Sequence, residues 1–100
     1  MEALAKLNVI LNYKGKEVKR IILIQEADWI TQTFSGVVTT PDGLQTGRWV
    51  FDTYYESPLF WNRKGGDSGC ALIKTAIRNA VYEWKDLRER NEDWRKECPF

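Results

Sequence analysis

Residues 5–13, Ala5-Lys6-Leu7-Asn8-Val9-Ile10-Leu11-Asn12-Tyr13, lead through Lys14-Gly15-Lys16 into Glu17-Val18-Lys19-Arg20-Ile21-Ile22-Leu23-Ile24. The first segment puts Leu7, Val9, Leu11 and Tyr13 on one side and Lys6, Asn8 and Asn12 on the other, with Ile10 the exception. A period of two is the pattern of a half-buried strand. Gly15 accepts a positive φ and so permits a tight turn into a second strand. That strand, from Glu17 to about Ile24, begins by alternating and ends apolar on both faces. The pattern predicts a central strand with material on each side. The chain therefore starts as an antiparallel hairpin.

Working outward, Glu26-Ala27-Asp28-Trp29 reads as a connection, and residues 32–40, rich in Thr, Val and Phe, read as a third strand. Thr40-Pro41-Asp42-Gly43 is a turn signal, because proline presets φ at the first corner and glycine takes the left-handed position. A fourth strand follows over 46–55, with Trp49, Phe51, Thr53 and Tyr55 on one face and Arg48, Val50, Asp52 and Tyr54 on the other. Residues 56–66 read as a loop. From Asp67 or Ser68, either of which can cap it, a helix is predicted over 68–96. Leu72, Ile73, Ala76, Ile77, Ala80, Val81, Trp84 and Leu87 fall at helical spacing along one stripe. Beyond Arg88 the stripe stops and acid–base pairs at i,i+4 take over. A helix of that length would be about 43 Å long. It exceeds the ~13 Å radius of gyration of a 100-residue domain, so its last turns must project, bend or pack on something else.

The expected fold class is α+β: a four-stranded antiparallel β-meander with one long C-terminal helix packed on one face of the sheet, in a single domain spanning 1–100. One helix covers one face. The other face is then solvated, dimeric or a binding surface.

Composition narrows the chemistry. The chain has 100 residues, 43% of them hydrophobic, with 15 basic and 14 acidic side chains and no histidine. Six cations stand against five acids in the first fifty residues and nine against nine in the second. Neither half is a polycation, which disfavours duplex binding driven by net charge. The missing histidine removes Ser-His-Asp and Cys-His catalysis and imidazole metal sites. Gly66-Asp67-Ser68-Gly69 repeats the string around a serine-protease nucleophile, but without a general base the match is accidental. The same glycines, with Arg63 and Lys64 upstream, lead into a helix N-terminus, where phosphate could bind. No Walker-type lysine follows, and Asp67 opposes an anion, so a capped loop is the simpler reading. Cys70 in the first helical turn lacks a clear activating partner and reads as a packing residue. Asp86, Glu89 and Asp93 read as a solvated face. Cys70 and Cys98, roughly 40 Å apart on one helix, read as free thiols. No catalytic, metal or cofactor site is expected. Without a visible signal sequence or membrane span, the expected location is the cytoplasm, bacterial or host cytosol.

Five tryptophans exceed what a small core needs. Trp61, beside Arg63 and Lys64, and Trp94, beside Arg95, lie outside the predicted core, and exposed Trp and Arg anchor protein interfaces. The expected function is a small non-enzymatic protein-binding module using Trp61, Arg63, Lys64, Trp94 and Arg95. It would be an inhibitor acting by occlusion, of viral counter-defence or toxin-neutralising type, with a homodimer through the sheet or the tail also open. The alternative is a single-stranded nucleic-acid-binding protein, using Lys14, Lys16, Lys19, Arg20, Arg48 and Tyr54. Clustering of the hairpin cations with Arg48 on one face would favour that alternative; scattering among acids would favour a protein partner.

Overall fold

A computed structural model describes the backbone of residues 3–62 and 70–97 and the side chains of 3–62 and 71–88. Five strands, β1 (Ala5–Tyr13), β2 (Lys16–Asp28), β3 (Thr33–Thr39), β4 (Gln45–Asp52) and β5 (Leu59–Asn62), precede one helix, α1 (Cys70–Glu97). The strands form one antiparallel sheet in sequence order, β1-β2-β3-β4-β5. The fold is the expected α+β meander with a C-terminal helix packed against the sheet, widened by one strand.

The turns follow from local chemistry. Lys14 and Gly15 both take positive φ, 50° and 77°, and this two-residue loop aligns Tyr13 with Lys16. At the next hairpin, on the same end of the sheet, the Gly43 N–H donates to the Thr40 carbonyl at 2.9 Å. Gly43 sits at φ 98°, as the Pro-Asp-Gly signal requires.

Three boundaries differ from the sequence reading. Leu59 to Asn62, expected as loop, is a short edge strand. Leu59-Phe60-Trp61 has the apolar and aromatic content that favours a pleated surface, and Phe60 pairs with Trp49. Strand β2 runs on through Glu26-Ala27-Asp28, where a connection was expected. A register shift between Ile24 and Glu26 absorbs the break in alternation, which is what a β-bulge does. Strand β4 stops at Asp52 and so does not include Thr53, Tyr54 or Tyr55. Its last carboxylate accepts the Tyr54 N–H at 3.0 Å and its carbonyl the Tyr55 N–H at 2.9 Å, turning the chain.

The core is sandwiched between α1 and one face of the sheet. Ile22, Ile24, Phe34, Val38, Trp49 and Phe51 point toward the helix and meet Ile73, Ile77, Ala80 and Val81, all buried. Burying each large apolar side chain contributes about 1.5–3 kcal/mol before entropy is counted. The Trp49 indole N–H keeps a partner in the Val37 carbonyl at 3.3 Å. Two glycines permit close packing. A Cβ on Gly36 would strike the Leu23 carbonyl beside the bulge, and one on Gly47 would strike the ring of Phe60, which lies across it. The helix reaches both edges of the sheet, contacting β1, β2 and β5. Of its predicted stripe, Leu72 and Leu87 are exposed and flank the core-facing residues.

The outer face lacks a covering element among the described residues. Ile21 and Leu23, expected to have material over them, are half-buried only by their neighbours across the strands. Among the described residues, no helix is long and apolar enough to cross a membrane.

Candidate functional site

The helix runs from the hairpin end of the sheet toward the opposite end, where the β2–β3 and β4–β5 connections lie. That far end is built as follows. The Asp28 carboxylate accepts the N–H groups of Ile30 and Thr31 at 3.0 and 3.2 Å, closing a turn over Trp29 to Gln32. Gln32 adopts φ 57°, and its side-chain amide donates to the Trp29 carbonyl at 2.8 Å. The Gln32 carbonyl accepts both the N–H and the hydroxyl of Thr53, each at 3.1 Å. Two loops distant in sequence are thereby locked together.

Trp29 folds back on the core, 5.3 Å from Phe34 and 5.5 Å from Trp84 between ring centroids. The Arg88 guanidinium lies over both indoles, 5.7 Å from Trp29 and 5.3 Å from Trp84. This aromatic–cation stack ties α1 to the loop end at the point where its buried stripe stops. Nine further helical residues, 89–97, continue the backbone by about 14 Å.

The same end exposes apolar side chains. Ile30 is 96% exposed and Tyr54 87%, the Tyr54 and Tyr55 rings meet edge to face, and Leu87 and part of Trp29 are open to solvent. Single exposed apolar residues need no explanation on a protein surface, but clusters mark contact sites.

A second feature lies on the outer face. Cross-strand pairing aligns Lys6, Leu23, Val37, Arg48 and Trp61 in one row across all five strands. The Arg48 guanidinium covers the Trp61 ring at 4.7 Å. Beside this row a shallow depression of about 230 Å³ is lined by Glu26, Ser35, Val37, Arg48 and Val50, among others.

The chain matches no family model, no curated protein and no solved structure.

Of the residues nominated from sequence for a protein partner, Trp61 is on β5 and partly exposed. Arg63 and Lys64 lie outside the described residues, as do the Gly65–Gly69 motif, the Asp67/Ser68 cap and Cys98. Trp94 and Arg95 lie on the helix extension, and their side chains, with that of Cys70, are also outside the described set. The cationic set is dispersed. Lys14 packs over the Tyr13 ring at the hairpin tip beside Lys16. Arg20 pairs with Val9 on the helix side of the sheet and donates to the Lys19 carbonyl. Lys19 faces outward, but beyond the end of β3, roughly 16 Å from Arg48 by strand spacing and rise. Tyr54, expected on a face of the fourth strand, stands in the loop at the far end. Glu17, Glu26 and Asp52 are interspersed on the outer face.

Sequence reasoning missed Trp29, Ile30, Tyr55 and Leu87. A signal was present for Ile30, a β-branched apolar residue placed inside a turn that needs no apolar side chain. For Leu87 the signal was its displacement to the flank of the helical stripe.

Proposed function

We propose that the chain is a small non-enzymatic module that binds a protein partner and acts by occluding it, as an inhibitor does. The observation that carries this reading is the exposure of Trp29, Ile30, Tyr54, Tyr55 and Leu87 at one end of the fold. The loop backbone that carries Ile30 and Tyr54 is held by hydrogen bonds and Trp29 is held by the Arg88 stack, which lowers the backbone entropy lost on contact. Tyrosine, tryptophan and arginine are the residues that dominate interface energies. The scattering of Lys14, Lys16, Lys19 and Arg20 away from Arg48 supports a protein partner over a phosphate backbone.

The test is affinity capture with the wild-type chain and with Ile30→Asp and Tyr54→Ala, followed by titration with the purified captured protein. The expected result is stoichiometric binding, weakened at least tenfold by Ile30→Asp. Equal binding by all three chains would overturn the assignment of this end.

One observation favours the nucleic-acid reading: an arginine stacked on a half-exposed indole offers both a cation and a π-face to an unpaired base. A short single-stranded oligonucleotide titrated at low salt distinguishes the two. Saturating fluorescence quenching that Trp61→Ala abolishes would replace the protein-binding reading.

A further inference from the structure

We infer that β1 and the adjoining flank of α1 form a self-complementary surface on which a second copy of this chain pairs about one two-fold axis. Strand β1 is an edge: it pairs with β2 on one side and with no described strand on the other. Natural edges are blunted by proline, bulges or several charges. This one is nine residues of regular strand carrying a single charge, Lys6. Its apolar residues are also incompletely covered. Leu7, Val9 and Leu11 face the helix yet remain half-buried, whereas Ile22 and Ile24 on the next strand are fully enclosed.

A groove of about 580 Å³ lies between the edge and the helix, bounded by residues 6–10 of β1 and by Ala76, Asn79, Ala80 and Glu83. The helix flank along it is extended at both ends by exposed leucines, Leu72 and Leu87.

Each element sets leucine against leucine about its own midpoint, and Val9, Asn79 and Ala80 at those midpoints line the same groove, which is why the occupant is a second copy. Antiparallel pairing of β1 centred on Val9 sets Leu7 against Leu11, Asn8 against Ile10, Lys6 against Asn12 and small Ala5 against Tyr13. No like charges meet. On the helix, an axis between Asn79 and Ala80 sets Leu72 against Leu87 and Ala76 against Glu83. The groove already places residues 6–10 beside residues 76–83. One axis therefore serves strand and helix together. A single extended peptide in the groove would leave the outlying leucines unmatched. The footprint, about 30 Å along the strand and about 20 Å through sheet and helix, gives roughly 1,200 Å² in total, the lower bound for a specific interface.

The inference does not depend on the loop-end reading: the two surfaces share only Leu87, and Asn8→Lys/Ile10→Lys touches no residue of the loop end, so either assignment can fail alone. The experiment is light scattering of the full chain across a concentration series. It is run alongside Asn8→Lys/Ile10→Lys, which sets like charges opposite on an exposed face, and Leu72→Glu/Leu87→Glu, which does so on the helix. Circular dichroism verifies that each variant is folded. The expected result is a mass twice the 11.7 kDa of the chain, with the dissociation constant raised at least tenfold in either variant. A wild-type chain that stays monomeric at hundreds of micromolar overturns the inference. So does a dimer that survives both substitutions.

Discussion

The two faces of one sheet have different fates here. On the face under α1, Ile22, Ile24, Phe34, Val38, Trp49 and Phe51 lose all or nearly all contact with water. On the other face, Ile21, Leu23, Val37 and Val50 are comparably apolar but stay half-buried, because only their cross-strand neighbours shield them. The strands supply the alternation to both faces equally. The helix alone decides which alternation becomes core. What remains on the open face is a row of ordinary strand residues carrying one stacked Arg48–Trp61 pair.

That contrast can be broken by mutation, most severely on the covered side. Trp49→Ala should cost about 3–5 kcal/mol, the range for emptying a packed aromatic site, and also remove the indole's hydrogen bond to the Val37 carbonyl. Denaturant unfolding monitored by circular dichroism would measure it. Gly36→Ala should cost about 2–3 kcal/mol, because the added methyl meets backbone at the β2 bulge and cannot be accommodated by a rotamer change. A loss below about 0.5 kcal/mol would show that the bulge relaxes. Across the sheet, Leu23→Ala should cost about 1 kcal/mol, reflecting half-burial, in the same unfolding assay. At the loop end, Ile30→Ser should change stability by no more than about 0.5 kcal/mol. A large destabilisation there would mean that Ile30 serves the fold and not a partner.

The sequence made the covered face legible because period-two and period-3.6 patterns report burial directly. Leu7, Val9, Trp49, Phe51 and the stripe from Ile73 to Trp84 could all be placed that way. The β2 bulge was not legible, since one extra residue reverses the alternation and makes Glu26-Ala27-Asp28 resemble a connection. Strand β5 was hidden for a different reason. Four residues after Pro58 are too few to show a period, and their pairing depends on Trp49 and Arg48 from elsewhere in the chain. Of the exposed aromatic residues, Trp61 was legible as surplus to the core. The loop end was not, because it exists only where the Gln32 carbonyl brings Thr53 alongside it, and no local pattern encodes that meeting.

The nearest-neighbour order of the sheet also bears on how the chain folds. Every strand pairs with the one just before it, so each hairpin can close over a short loop and the meander can grow in the order of synthesis. The helix is the exception. Its groove-side residues meet β1 across roughly seventy residues of sequence, a long-range closure that strand pairing does not require. Until residues 73–84 have left the ribosome, the apolar face of the sheet has no cover. A nascent chain arrested before that point would present Ile22, Phe34 and Trp49 to solvent and to chaperones, and the arrival of residues 73–84 ends that exposure.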